Sequence, residues 1–157
     1  MFARPDLIPL SAASSEALSG LHREAFRRNW SAEDFASLLS EPTVFALGVR
    51  LRPILGSSRL VAFVLVRFTA DEAEILTIAV DPRHRRRGYG RLLMDDVIRR
   101  LYRERIAALF LEVDRSNTAA VGLYRALGFA VAGERRNYYS APSAGDGTAL
   151  VMRLQVR

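Results

Sequence analysis

Two periodicities alternate along this chain, and the switches between them mark out its elements. A short strand is expected near Leu7–Leu10, and Ser14–Arg27 then carries Ala17, Leu18, Leu21, Ala25 and Phe26 at helical steps. A second helix begins at Ser31. There Ser31 and Asp34 have the spacing of a capping box, Trp30 and Phe35 that of a hydrophobic staple, and Pro42 marks the far side. Thr43–Val49, Arg59–Phe68 and Ala73–Val80 are strand-length runs rich in valine, leucine, isoleucine and phenylalanine, which predicts consecutive neighbours in one sheet.

From Gly88 to Arg103 the apolar positions Leu92, Leu93, Val97, Ile98, Leu101 and Tyr102 return every three or four residues, with Asp95/Arg99 and Asp96/Arg100 spaced to support a helix. Ala107–Val113 is again strand-like, so Ile75–Val113 reads as strand, helix, strand with the two strands parallel. A fourth helix is expected over Thr118–Leu127, capped by Ser116 or Asn117 and stopped by Gly128, before strands near Phe129–Tyr139 and Ala149–Val156. Arg52–Ser58 and Ser140–Thr148 read as loops. The 157 residues therefore predict a single mixed α/β domain, 1–157, built around one sheet.

Composition narrows the chemistry. Half of the residues are apolar and a quarter charged, the balance of a globular chain and not of a disordered one. No run approaches the roughly eighteen apolar residues of a membrane span, and Pro5, Asp6 and Pro9 interrupt any secretory signal, so a cytoplasmic location without membrane contact is expected. Cysteine is absent, which excludes disulfides, thiolate metal sites and cysteine nucleophiles. Lysine is absent too, which removes Schiff-base chemistry and the phosphate-loop lysine. His22 and His84 are too few for a multi-histidine metal site, no metal is expected, and both read as surface residues. The net charge of +6 is carried by arginine alone, whose guanidinium groups suit phosphate or carboxylate partners.

Position along the chain says where that partner goes. Asp81-Pro82-Arg83-His84-Arg85-Arg86-Arg87-Gly88-Tyr89-Gly90 joins a buried strand to a helix start, where unpaired amides and the positive end of the helix dipole gather. Arg83, Arg85, Arg86, Arg87 and Arg91 crowd that positive end, which is unfavourable unless a polyphosphate sits there. Charge alone also allows a solvated basic loop or a nucleic-acid contact.

The run Arg85–Gly90 resembles the R-x-x-G-x-G/A acyl-CoA signature of the GCN5-related N-acetyltransferase (GNAT) superfamily. Glu74–Val80, Leu111-Glu112-Val113 with Ser116-Asn117, Leu123-Tyr124 with Gly128-Phe129, and Arg135–Tyr139 follow the same pattern in order, and together with Trp30-Ser31 and Ala149–Met152 they resemble the RimI family from about residue 20 onward. Asn29 stands where that family usually has proline. The resemblance implies a GNAT fold, with a mostly antiparallel sheet of about seven strands splayed between two parallel central strands, and about four helices. It implies acetyl-CoA as cosubstrate and a protein N-terminus as acceptor, in the type member the N-terminal alanine of the eighteenth small-subunit ribosomal protein.

The same resemblance implies site residues. The main chain of Ile78, Ala79 and Val80 would meet the pantetheine arm, Arg85, Arg86, Arg87, Gly88, Tyr89 and Gly90 the pyrophosphate, and Asn117 the cofactor arm; Trp30, Tyr138 and Tyr139 would border the acceptor groove. Acetyl transfer needs a neutral amine, a polarised thioester carbonyl and a proton for the departing thiolate. Glu112 is the candidate base, on one strand face with Ala108 and Phe110; its plainer reading is a carboxylate paired with a surface arginine. Tyr124 is the candidate acid and cofactor neighbour, on a helix face with Ala120, Val121 and Leu127; its plainer reading is a core tyrosine. Tyr138 and Tyr139 point to opposite strand faces, so only one can line a groove, and which one stays open. An acetyltransferase for another small amine or for lysine, and an inactive RNA- or ribosome-binding module, remain as alternatives. A monomer without a stable nucleic-acid complex is expected.

Overall fold

The computed structural model describes residues 4–26, 30–136 and 147–157. In chain order they form β1 (Arg4–Leu10), a 3-10 turn (Ala12–Ser14), α1 (Ser15–Ala25), α2 (Ala32–Leu39), β2 (Val44–Arg52), β3 (Arg59–Thr69), β4 (Glu72–Val80), a second 3-10 turn (Pro82–His84), α3 (Tyr89–Arg103), β5 (Ala108–Asp114), α4 (Thr118–Ala126), β6 (Ala130–Arg135) and β7 (Ala149–Gln155). The seven strands follow the order β1-β2-β3-β4-β5-β7-β6 in a mostly antiparallel sheet whose β4/β5 pair is parallel. Packing divides the chain into two units, Met1–Arg67 with Leu76–Arg99 and Phe68–Ile75 with Arg100–Arg157.

In the first unit β1, β2 and β3 form an antiparallel meander. The sequence pattern starts the first strand at Leu7, but pairing runs from Arg4, because an edge strand tolerates Pro5 and Pro9 where a central one would lose ladder bonds. Leu18, Leu21, Phe35, Ala46, Phe63, Leu65 and Ala79 form one cluster of the core, with the Phe35 and Phe63 rings edge to face at 5.6 Å. The capping box at the start of α2 is present: Asp34 N donates to Ser31 Oγ (3.1 Å) and Ser31 N to Asp34 Oδ2 (2.9 Å). Its staple is present as well, the Trp30 and Phe35 rings lying 5.5 Å apart. On α3, Asp95 pairs back to Arg91 (3.7 Å) rather than forward to Arg99, which pairs with Asp96 (3.2 Å).

In the second unit β5 pairs in parallel with β4 at Glu72–Ala108, Ala73–Leu109 and Glu74–Phe110, and antiparallel with β7 over its whole length. The last strand of the chain thus enters between β5 and β6, and its buried Ala149, Leu150, Met152 and Leu154 suit that central place. The final helix closes with a Schellman motif: Gly128 N donates to Arg125 O and Phe129 N to Tyr124 O, each at 3.0 Å, with Gly128 at φ 103°. The usual apolar contact across such a motif is here the Tyr124–Phe129 ring pair at 5.7 Å.

Candidate active site

In the first unit the segment after β4 has the construction of an anion cradle. Arg86 (φ 64°) and Gly88 (φ 80°) both turn into the left-handed region, which re-aims the main chain just before α3. A Cβ on Gly88 would meet nothing within 4 Å, so glycine serves the backbone angle there and not a lack of room. Gly88 O accepts the first intrahelical bond of α3, from Leu92 N at 2.9 Å, leaving the amides of Tyr89, Gly90 and Arg91 without an intrahelical acceptor. No acidic residue stands in the first turn of α3, whereas α1 has Glu16 and α2 has Glu33 and Asp34 there. Arg85, Arg86 and Arg87 are exposed and make no ion pair among the described residues. Three uncompensated guanidiniums and free amides at a helix start fit a pyrophosphate. On β4, Ile78 and Val80 are half-buried, while Ala79 points into the core, so Ala79 can serve a ligand only through its main chain.

Trp30, expected at the acceptor side, is fixed by its neighbours. Its backbone N–H donates to His22 Nδ1 (3.3 Å), its backbone carbonyl accepts from Ser19 Oγ (2.8 Å), and its ring stacks on His22 at 5.2 Å. The reading of both histidines as surface residues is therefore corrected: His22 is 4% exposed within an aromatic cluster with Phe26, Trp30 and Phe35, and His84 is half-buried beside Asp81. Because Nδ1 of His22 accepts a bond, its ring proton belongs on Nε2.

In the second unit Glu112 and Arg135 form an ion pair, Arg135 Nη2 to Glu112 Oε1 at 3.1 Å. Strand register explains why they meet. Glu112 lies opposite Val151 on β7, and Val151 lies opposite Gly133 on β6. A bulge between Val131 and Gly133 transfers the odd positions of β6 from the Met152 face to the Val151 face, which puts Arg135 on the face of Glu112. The plainer reading of Glu112, a carboxylate paired with an arginine, is thus realised; the pair occupies Oε1, and Oε2 carries no hydrogen bond among the described residues. Tyr124 is 5% exposed and held by the Phe129 ring through the helix-ending motif. Asn117 is the α4 cap, its Oδ1 accepting from Ala120 N at 3.2 Å. Just before it, Asp114 Oδ1 accepts from Ser116 N (2.9 Å) and Ser116 Oγ (2.8 Å), a turn anchor that Asp-x-Ser spacing signals and sequence reasoning passed over. Tyr138 and Tyr139 lie outside the described residues.

A strand leading into an arginine-rich, glycine-broken helix start, within this strand order, defines an acyl-CoA-dependent transferase. The profile of the Acetyltransferase (GNAT) family matches residues 15–129, and the chain belongs to that family; it is an acetyl-CoA-dependent N-acetyltransferase. Among its relatives, the [Ribosomal protein bS18]-alanine N-acetyltransferase of Escherichia coli strain K12 is 39% identical over 127 residues, 81% of each chain. The enzyme of the same name from Haemophilus influenzae is 31% identical over 143 residues, 91% of this chain and 93% of its own. The crystal structure of the ribosomal-protein-S18-alanine N-acetyltransferase from Escherichia coli superposes with a TM-score of 0.86 at 32% identity, covering 98% of this chain and 94% of that one.

Proposed function

We propose that this protein acetylates the N-terminal α-amino group of a protein, with the N-terminal alanine of ribosomal protein bS18 as its acceptor. The observation that carries this reading is 39% identity over 81% of both chains to an enzyme named for that reaction. Arg85–Gly90 holds the pyrophosphate of acetyl-CoA, the main chain of Ile78–Val80 aligns the pantetheine arm, and Asn117 contacts the same arm. Trp30 and one of Tyr138 and Tyr139 border the acceptor. The protein works as a cytoplasmic monomer and forms no stable nucleic-acid complex.

Transfer proceeds by direct attack. The neutral amine adds to the thioester carbonyl while Oε2 of Glu112 receives its proton, through a water; the C–S bond then breaks, and the Tyr124 hydroxyl supplies a proton to the departing thiolate. The products are the acetylated terminus and coenzyme A with its thiol. Arg135 orients Glu112 by engaging the other oxygen. A modest base suffices: an α-amine with pKa near 7.8 is roughly one-seventh neutral at pH 7, against about four lysines in ten thousand.

The test compares initial rates on a peptide with the bS18 N-terminus, the same peptide with its terminus blocked, and one with a blocked terminus and an internal lysine. Transfer confined to the free terminus is expected. Transfer to the lysine peptide at an equal rate would assign the enzyme to side-chain amines.

A further inference from the structure

We propose that Asp81 is a positioning residue for acetyl-CoA binding, its buried carboxylate clamping the entry to the phosphate loop and withdrawing Arg83 from the ligand-binding cluster. This rests on the reading of Arg85–Gly90 as the pyrophosphate site.

Asp81 directly follows β4 and is 1% exposed. A buried carboxylate persists only when its charge is paired and its oxygens are bonded. Here Oδ1 accepts from Arg83 N (2.9 Å) and Nε (3.2 Å), while Oδ2 accepts from Arg83 Nη2 (3.0 Å) and Arg59 Nη2 (3.3 Å). The fork of Arg83 therefore grips both oxygens. The main chain is tied as firmly: Asp81 N donates to Val61 O on β3 and His84 N to Asp81 O, each at 2.8 Å. Arg83 also reaches Glu24 of α1 at 3.4 Å, so its exposed guanidinium lies between two carboxylates, the buried Asp81 and the solvated Glu24.

That arrangement sorts the arginines by role. Arg59 and Arg83 are balanced by Asp81 and Glu24, and Arg91 faces Asp95, which leaves Arg85, Arg86 and Arg87 to meet an anion. The left-handed angle at Arg86 is one that a side-chain-bearing residue adopts only when its surroundings impose it. The start of α3 fixes the loop from one end and the Asp81 clamp from the other. A cap on the 3-10 turn would need only a neutral acceptor, so the negative charge has a second task, holding two guanidiniums.

The experiment measures coenzyme A affinity by calorimetry, its ionic-strength dependence, and the kinetic constants of Asp81→Asn, Arg83→Gln, their double variant, and Arg86→Gln. Asp81→Asn keeps the cap acceptor and loses the charge. It should weaken coenzyme A binding by about tenfold and raise KM for acetyl-CoA in parallel, with kcat and KM for the peptide within about twofold of the parent. Arg83→Gln should give a similar loss with an unaltered salt dependence, and the double variant should be no worse than the poorer single one, because both remove one clamp. Arg86→Gln should flatten the salt dependence, since it removes a charge that meets the ligand. Undiminished affinity in folded Asp81→Asn, or a flattened salt dependence in Arg83→Gln, would overturn the proposal; the second readout serves equally should Asp81→Asn not fold. If Arg86→Gln binds like the parent, the reading of the loop itself fails, a result distinct from failure of the clamp alone.

Discussion

Replacing Gly88 by alanine isolates the backbone's share in cofactor binding. The residue sits at φ 80° with open space where a Cβ would go, so the substitution adds no clash and only the strain of a left-handed alanine. That strain is about 1–2 kcal/mol, or a factor of roughly 5–30 in an equilibrium constant. It has two places to appear. If the free loop stays as it is, unfolding free energy drops by the full amount and affinity holds. If the free loop relaxes to another shape, stability holds and the binding-competent fraction falls, raising the apparent Kd for coenzyme A by the same factor. The two losses should therefore sum to about 1–2 kcal/mol, read by urea unfolding of the free protein and calorimetry with coenzyme A. Gly88→Asn, whose side chain tolerates the left-handed region, should fall between glycine and alanine. A Gly88→Ala protein matching its parent in both measurements would refute the claim that this angle shapes the site.

Other outcomes follow from the same physical reading. Glu112→Gln should lower kcat on an alanine-starting peptide by about 10²–10⁴-fold, the usual weight of a general base, with coenzyme A affinity within twofold; unaltered turnover would remove its role. Tyr124→Phe should also slow turnover while leaving the Phe129 contact and thermal stability nearly intact, and an unchanged rate would leave Tyr124 as a core residue only. In the parent enzyme kcat/KM for the peptide should rise as pH climbs through the α-amine range near 7.8 and level off above it; a flat profile would argue against attack by the free amine. Gly20→Ala, inside α1 with nothing within 4 Å of the added methyl, should stabilise the protein, by about 0.5–1 kcal/mol in urea unfolding. Destabilisation there would mean the helix is packed more closely than its geometry says.

What sequence reveals and what it hides divide along a physical line. Features set by local chemistry were readable: the Ser31/Asp34 capping box, the strand-length runs of β2, β3 and β4, and the Leu-Tyr-x-x-x-Gly-Phe pattern that becomes the Schellman end of α4. Features set by pairing between distant segments were not. Nothing local tells β7 to enter between β5 and β6, and the bulge at Val131/Gly133, which decides that Arg135 faces Glu112, shows only in the register. The burial of His22 and Asp81 is hidden from the sequence for a related reason. A polar residue's burial depends on partners such as Trp30, Arg59 and Arg83, which lie eight, 22 and two positions away. An Asp-Pro pair after a strand signals a turn, but not that the carboxylate beneath it is sealed from water.

The central claim is that the Arg85–Gly90 loop grips the phosphorylated part of the acetyl donor. Its most direct test titrates the intact protein with coenzyme A and, separately, with pantetheine, which has the same arm without phosphates or nucleotide. Coenzyme A should bind at least about a hundredfold more tightly, a difference of roughly 3 kcal/mol, and its advantage should shrink as salt is added. Equal affinity for the two ligands, or an advantage indifferent to salt, would contradict it.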